Sequence, residues 1–168
     1  TRASSSTDSM AGLRVMIDAM HGTSEPTLST ILTEARCRAV FIHDRRDSLF
    51  GGRSPAPNLE AMRLLITYIR EYGYDLGLAM DGDADRIGAM DERGNFVDPH
   101  KIMALALNYL VQARGWCGPV VRTVSTTRMI DRIASRCGVQ VYETPVGFNH
   151  IAEYMLRDDI LIGGEESG

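Results

Sequence analysis

In the first half of the chain, short continuous apolar runs alternate with segments whose apolar residues recur at helical spacing. Three runs predict buried strands, at 13–18, 39–43 and 75–80. Residues 26–36 predict a helix between the first two. A second helix is expected from its cap at Asn58 to Gly73, with Leu59, Met62, Leu65, Ile66 and Ile69 at helical spacing. Residues 44–57, rich in Gly, Pro, Arg and Asp, predict a loop too polar to pack.

The same alternation starts again in the second half. Asp98 and Pro99 mark a helix start, because proline is favoured in the first turn of a helix. The expected buried face of this helix consists of Ile102, Met103, Ala106, Leu107, Leu110 and Val111. Further helices are expected at 127–137, with Ile130, Ile133 and Ala134 inward, and at 148–156. Strands are expected at 86–90, 96–97, 120–124, 139–142 and 160–162.

Strands that alternate with helices predict the α/β fold class, here two consecutive three-layer α/β domains with mixed, mainly parallel sheets. Residues 1–10 are expected to form a disordered lead-in or linker, followed by domains at 11–94 and 95–168. The reversal at 91–95 resembles a hairpin and places the boundary near Gly94. In such sheets ligands bind beyond the carboxyl ends of strands, so the informative loops follow residues 18, 80, 124, 143 and 162.

The segment between two of these strands carries three carboxylates at alternate positions, Asp81, Asp83 and Asp85, followed directly by Arg86. Carboxylates packed this closely repel one another unless a cation lies among them. Hard cations such as Mg2+ and Ca2+ take oxygen ligands of this kind. The loop therefore predicts a divalent-metal site.

Three other interpretations of this acidic segment compete. An EF-hand calcium loop would place Asp81, Asp83 and Asp85 at positions one, three and five and Glu92 at position twelve, but Arg86 occupies the position of the turn glycine. Its flanks are also strand-like rather than helical. A solvated acidic turn without a ligand is the second alternative. A nucleotide-type metal site is the third, but no Gly-rich loop ending in Gly-Lys-Ser/Thr accompanies it.

Polar clusters follow other predicted strands. In the segment 163–168, Glu165 and Ser167 offer a carboxylate and a hydroxyl that suit vicinal sugar hydroxyls, although such a segment is most often only a turn. His21 either faces a cleft or is a hydrogen-bonded structural residue. Residues 125–128 lie at a strand-to-helix junction, where Arg128 and the helix N-terminus suit a phosphate. Ordinary capping by Ser125 or Thr126 explains the same residues equally well.

Composition restricts the partners. A net charge of −4 gives no reason to expect nucleic acid. No apolar run approaches the roughly 20 residues of a membrane helix, and the N-terminus lacks the apolar segment of a signal peptide. Cys37, Cys117 and Cys137 are widely spaced, which argues against a disulfide framework or a zinc site and for a reducing, cytoplasmic setting. Cys37 and Cys137 are expected to be buried.

Together these motifs resemble the α-D-phosphohexomutase family, which includes phosphoglucomutases and phosphomannomutases. The resemblance rests mainly on Asp-Gly-Asp-Ala-Asp-Arg at 81–86 and Gly-Glu-Glu-Ser-Gly at 164–168. Supporting matches, in family order, are Asp-Ala-Met-His-Gly at 18–22, Arg-Thr-Val-Ser-Thr-Thr-Arg at 122–128 and Thr-Pro-Val-Gly-Phe at 144–148.

The resemblance implies specific roles. The family has four domains around a cleft, and this chain is similar to the second domain and the first part of the third, so the second predicted domain is expected to be truncated at its C-terminus. One Mg2+ per active site is expected on Asp81, Asp83 and Asp85, with Arg86 at its edge. Glu165 and Ser167 are expected to contact sugar hydroxyls. Arg128 is expected to help line the cleft.

The reaction implied is transfer of phosphate between C1 and C6 of a hexose 1-phosphate or 6-phosphate through a phosphoserine and a bisphosphorylated sugar. The sequence does not distinguish glucose, mannose and glucosamine. The Ser-His-Asn-Pro serine loop is absent, as is the phosphate-binding fourth domain, and Asn149 stands where the family often has lysine. The chain is therefore expected to need the missing domains I and IV, and to be inactive alone. The alternatives are a non-catalytic sugar-phosphate or metal-binding module and an unrelated Mg-dependent phosphatase.

Overall fold

A computed structural model describes residues 10–166. The expected disordered lead-in at 1–10 lies almost wholly outside the described residues. The chain divides into two compact units, Thr1–Val97 and Asp98–Gly168. The division falls after the expected boundary at Gly94, because Phe96 and Val97 pair with the preceding strand and so belong to the first unit.

The first unit is a mixed sheet with helices on both faces. Its elements are β1 (Arg14–Asp18), α1 (Glu25–Glu34), β2 (Arg38–Ile42), α2 (Arg63–Tyr72), β3 (Leu76–Met80), β4 (Ile87–Met90) and β5 (Phe96–Val97). The strand order is β2-β1-β3-β4-β5. β1 is parallel to β2 and β3, whereas β4 is antiparallel to β3 and β5. The expected mixed sheet is therefore confirmed.

The alternation of side chains along β1 divides the core into two layers. Val15 and Ile17 are fully buried and cluster with Leu32 of α1. Met16 points to the opposite face and clusters with Leu65 and Ile69 of α2. Since successive strand residues face opposite sides of a sheet, α1 and α2 cover different faces, as a three-layer unit requires.

α2 begins later than its sequence predicts. The Asn58 side chain does accept a hydrogen bond from the Ala61 amide, at 3.0 Å, but it caps a turn that precedes the helix. Leu59 consequently lies off the buried face and is 55% exposed, so its expected packing is wrong. Gly73 ends the helix in the left-handed conformation, with φ 66°, as predicted.

The second unit has a parallel sheet. Its elements are α3 (Pro99–Gln112), β6 (Val120–Thr123), α4 (Met129–Cys137), β7 (Val141–Thr144), α5 (Phe148–Arg157) and β8 (Ile162–Gly164). The strand order is β7-β6-β8, and β6 is parallel to both neighbours. β7 begins later than predicted because the Val139 amide donates to the Ala134 carbonyl and closes the end of α4.

Helices cover both faces of this second sheet. Leu107 of α3 and Ile130 of α4 are fully buried and cluster with Val120 of β6. Ile151 of α5 is buried and packs over Gly163 of β8, where a Cβ would lie 2.6 Å from its Cγ2. The three-layer arrangement expected from the sequence is therefore present in this unit also.

Within the described part of the second unit, one charged side chain is buried. Arg122 on β6 is 5% exposed and pairs with Asp131 on α4 at 2.8 Å and with Glu143 on β7 at 2.9 Å. Its guanidinium also donates to the Thr123 carbonyl at 3.0 Å. A buried guanidinium needs such partners, because it cannot lose its charge.

Two cysteines are less buried than the sequence predicted. All three cysteines are free thiols, but Cys37 and Cys137 are half-buried rather than buried, and Cys117 is exposed. The helices within residues 10–166 are each too short or too polar to cross a membrane.

Candidate functional site

The acidic segment 81–86 is the connection of the β3–β4 hairpin. Met80 pairs with Ile87 across the base of the loop. The loop follows the carboxyl end of β3, and β3 runs parallel to β1, so it shares an edge of the sheet with the segment after Asp18. Ala84 has φ 66°, and this left-handed residue tightens the turn between Asp83 and Asp85.

Asp81 organises the loop from a buried position. It is 1% exposed, and its Oδ1 accepts hydrogen bonds from the amides of Asp85 and Arg86, both at 3.0 Å. Its Oδ2 accepts from Nε of Arg86 at 2.7 Å. A carboxylate has about four lone-pair positions, so these three bonds leave room for one further interaction on Oδ2.

Oxygen atoms from Asp81, Asp83 and Asp85 lie within 4.8 Å of one another. Among the described residues this is the one group of three or more acidic, histidine or cysteine side chains that converges in this way. Asp83 and Asp85 are exposed and reachable from solvent, whereas Asp81 is fixed from below. An all-oxygen donor set with one buried and two exposed carboxylates fits a hard divalent cation.

The pKa values of Asp85 and Asp81 reflect the closely spaced charges of this loop. The pKa of Asp85 is raised, because its side chain can share a proton with Asp81 and because burial and the charges of Asp81 and Asp83 oppose ionisation. Burial also raises the pKa of Asp81, but hydrogen bonds from the Arg86 amide and guanidinium outweigh it, so that pKa is lowered. A cation among the three carboxylates would relieve the repulsion that Arg86 balances only in part.

His21 lies in a strained turn next to the acidic loop. Met20 and His21 both have positive φ, at 46° and 57°. Buried Asp18 holds the turn, because its Oδ1 accepts from the Met20 amide at 2.8 Å and lies 2.9 Å from Nδ1 of His43. Nδ1 of His21 lies 2.9 Å from the Arg45 carbonyl. The structure therefore places His21 in a hydrogen-bonded turn, half-buried beside His43.

Three loops meet at the carboxyl edge of the second unit's sheet. Glu165 accepts a hydrogen bond of 3.1 Å from the Gly147 amide at the start of α5. Glu166 accepts bonds from the hydroxyls of Ser125, at 2.6 Å, and Thr123, at 3.3 Å. The two adjacent carboxylates thus join the ends of β7 and β6 to the end of β8. Ser167 lies outside the described residues.

The remaining sequence-predicted residues surround this edge. Capping of α4 by Ser125 or Thr126 is wrong, because the Thr127 hydroxyl accepts from the Met129 amide at 3.2 Å instead. Thr126 is buried with its hydroxyl 2.9 Å from that of Thr123. Arg128 is exposed at the start of α4, and Asn149 is exposed in the first turn of α5.

Some residues of the two sites gave no sequence signal. Phe50 packs against Gly82 of the acidic loop, although the segment 44–57 is polar overall and was expected not to pack. Asp47 organises that segment by accepting from the amides of Leu49 and Gly51, each at 3.0 Å. One aromatic residue in a polar stretch is too common a pattern to have identified this contact.

Two family models match the chain. Residues 1–94 match the phosphoglucomutase/phosphomannomutase alpha/beta/alpha domain II, and residues 98–168 match domain III of the same family.

Individual proteins agree with this match. A phosphoglucomutase/phosphomannomutase of Thermococcus kodakarensis is 36% identical over 154 residues, which cover 92% of this chain and 34% of that protein. A phosphopentomutase of the same organism is 36% identical over 138 residues, covering 82% of this chain and 30% of that protein. A crystal structure of a proposed phosphomannomutase from Thermus thermophilus superimposes with a TM-score of 0.87 at 30% identity, covering 96% of this chain and 37% of that one. The chain spans about a third of the length of these relatives.

Proposed function

Because the chain belongs to the phosphoglucomutase/phosphomannomutase family, we propose that it carries the metal loop and the sugar loop of a phosphohexomutase. In this proposal residues 11–97 belong to domain II and residues 98–168 to domain III. The complete enzyme moves a phosphoryl group between C1 and C6 of a hexose phosphate through a phosphoserine and a bisphosphorylated sugar. Domains I and IV supply the phosphoserine and the phosphate-binding loop.

The metal assignment is carried by one observation, the convergence of Asp81, Asp83 and Asp85 oxygens within 4.8 Å. We assign these carboxylates as the protein ligands of one Mg2+ per active site. Mg2+ bound there supplies neutralisation of charge on the transferring phosphoryl group. Arg86 lies at the edge of the site, where its bond to Asp81 Oδ2 fixes the orientation of the buried ligand.

The sugar assignment rests on the edge where β6, β7 and β8 end. Glu165 and Ser167 are proposed to bind vicinal hydroxyls of the sugar. The Glu165 carboxylate accepts a hydrogen bond from the Gly147 amide, which holds it at this edge of the sheet. Arg128 and His21 are proposed as further substrate residues, Arg128 because an exposed guanidinium at a strand-to-helix junction suits a phosphate, and His21 because its turn packs against the acidic loop through Gly22.

Metal binding can be tested on the 168-residue chain by following backbone amide shifts during Mg2+ titration. We expect millimolar affinity, since the proposed phosphoserine ligand is absent from these residues. Asp83→Asn should weaken binding at least tenfold. Asp44→Asn, which removes an equal charge from an exposed position of the same unit, should bind like the wild type. Equal binding by Asp83→Asn, or no shifts in segment 81–86, would contradict the assignment.

The catalytic proposal needs a second experiment. The 168-residue chain should show no Mg2+-dependent mutase turnover, because it contains no Ser-His-Asn-Pro loop. A longer protein that contains this chain should interconvert 1- and 6-phosphates in a panel of glucose, mannose and glucosamine phosphates. A pentose phosphate belongs in the panel, because one relative is named a phosphopentomutase. Hydrolysis of a generic phosphate ester without isomerisation would favour a phosphatase instead.

The proposed setting is the cytoplasm. The support comes from the cysteines, which are three unpaired thiols at Cys37, Cys117 and Cys137.

A further inference from the structure

Gly82, between the first two acidic residues, is in close contact with the turn that follows β1. A Cβ placed on Gly22 would lie 2.5 Å from the Gly82 carbonyl oxygen and 2.8 Å from its Cα. The Thr23 amide donates to the same carbonyl at 3.1 Å, and the Thr23 hydroxyl lies 3.4 Å from it. Two backbone segments therefore approach more closely here than any side chain would allow.

A different part of the first unit contacts Gly82 from the direction of its missing side chain. A Cβ on Gly82 would lie 2.7 Å from Cε1 of Phe50 and 3.0 Å from Cζ. Phe50 is held in place by the Asp47 carbonyl, which accepts from its amide at 3.0 Å. Gly82 is thus enclosed by Gly22 and Thr23 at its carbonyl and by the Phe50 ring at its Cα.

The turn that carries Gly22 is held in an unfavourable conformation. Met20 and His21 have positive φ without being glycine, which costs free energy unless the surroundings enforce it. The buried Asp18 carboxylate enforces it through the Met20 amide and His43. The same turn is tied to the Phe50 segment, because the His21 carbonyl accepts from the Asp47 amide at 3.2 Å.

We infer that Gly22 and Phe50 are positioning residues for the acidic loop, acting through Gly82. Their contacts fix the backbone between Asp81 and Asp83 and so set the separation of the carboxylates. The inference rests on the proposed function only in treating that loop as the Mg2+ site. The placement of the loop itself is a property of the metal-free protein and can be measured without the metal.

The decisive variant is Gly22→Ala in the 168-residue chain. Gly22 has an ordinary φ, so alanine adds only the Cβ that would collide with Gly82. Amide hydrogen exchange at Asp85 and Arg86, whose N–H groups bond to Asp81, should accelerate about tenfold without metal, and Mg2+ affinity should fall about tenfold. Phe50→Ala should also accelerate exchange at Asp85 and Arg86 and weaken Mg2+ binding. Phe50→Leu should retain most of the wild-type protection from exchange.

Gly73→Ala is the matched control. It strains the left-handed end of α2, which lies at the opposite end of β3 from the acidic loop, and its Cβ would meet only Nη1 of Arg14, at 3.7 Å. It should lower the unfolding midpoint yet leave the exchange of Asp85 and Arg86 and the Mg2+ affinity within twofold of wild type. This separates loop positioning from general destabilisation of the unit.

The outcomes distinguish this inference from the metal proposal. Unchanged exchange in a folded Gly22→Ala or Phe50→Ala protein would overturn the positioning role, whatever the metal does. If exchange accelerates in Gly22→Ala or Phe50→Ala but the wild-type protein binds no Mg2+, the positioning role is supported and the metal site is refuted. If Gly22→Ala fails to fold, Phe50→Ala with its Phe50→Leu partner decides the question by the same exchange measurement.

Discussion

The Ser125 hydroxyl donates a 2.6 Å hydrogen bond to the Glu166 carboxylate. This bond turns Glu166 toward the end of β6, while its neighbour Glu165 turns toward Gly147 at the start of α5. The two adjacent glutamates therefore have different local roles. Glu166 anchors the loop to the sheet, and Glu165 is the one assigned to ligand binding.

Ser125→Ala should raise the pKa of Glu166. That pKa is lowered chiefly by the Ser125 hydrogen bond, against a smaller opposing effect of burial. A carboxylate whose folded pKa is depressed stabilises the protein above its unfolded pKa, and this stability is lost as the pH falls through the folded pKa. The variant should therefore be about 1 kcal/mol less stable at pH 7, with the difference shrinking below about pH 4.

Carboxyl carbon NMR titration of Glu166 and urea unfolding at several pH values measure both effects. Ser135→Ala, at an exposed position of α4, is the control and should change neither quantity. A Glu166 titration curve that does not move in Ser125→Ala would show that the hydrogen bond is not formed in solution.

Arg122→Met should destabilise the second unit by about 1–2 kcal/mol, because the guanidinium hydrogen bonds to Asp131, Glu143 and the Thr123 carbonyl are lost, while the two carboxylates left behind are 37% and 54% exposed and can be solvated. Arg122→Lys should recover only part of this, since an ammonium cannot reproduce the forked contacts. Glu143→Gln should cost less than about 1 kcal/mol, because Glu143 is more than half exposed. Chemical denaturation monitored in each unit is the measurement. Equal stability of Arg122→Met and wild type would mean that well-packed methionine fully replaces the ion pairs.

The sequence predicted those features that depend on neighbouring residues. Hydrophobic periodicity located the strands and helices, and three carboxylates at alternate positions in a tight connection converge because the chain reverses there. The start of α2 was mispredicted because an Asn58 cap looks the same in sequence before a turn as before a helix.

Contacts between distant positions gave no such signal. Ser125 and Glu166 meet only because β6 and β8 are parallel neighbours, so that their carboxyl ends coincide. Phe50 reaches Gly82 through a loop whose composition suggested no packing at all. The sequence therefore predicted the three carboxylates that converge, but not the residues that pack against their loop.

Asp85→Asn should stabilise the metal-free protein at neutral pH. The pKa of Asp85 is raised, mainly by its interaction with Asp81. A carboxyl group with a raised folded pKa contributes stability at low pH that is lost as the pH rises through that pKa, so the ionised side chain opposes folding near pH 7. Thermal unfolding in EDTA should give a higher midpoint for the variant. In Mg2+ the proposed site predicts the reverse order, because binding would stabilise wild type and the variant lacks one of the proposed ligands.

Asp81→Asn should have the opposite effect in the metal-free protein. The pKa of Asp81 is lowered, since the Arg86 hydrogen bonds outweigh burial, so its ionised form stabilises the fold above the unfolded pKa and loses that effect in acid. An amide keeps one acceptor oxygen but places NH2 against the Arg86 guanidinium or the loop amides, which should cost roughly 2 kcal/mol at pH 7. Urea unfolding of both variants in EDTA should therefore show Asp85→Asn above wild type and Asp81→Asn below it. The same sign for both would refute the division of this cluster into one buried anchor and one repelled partner.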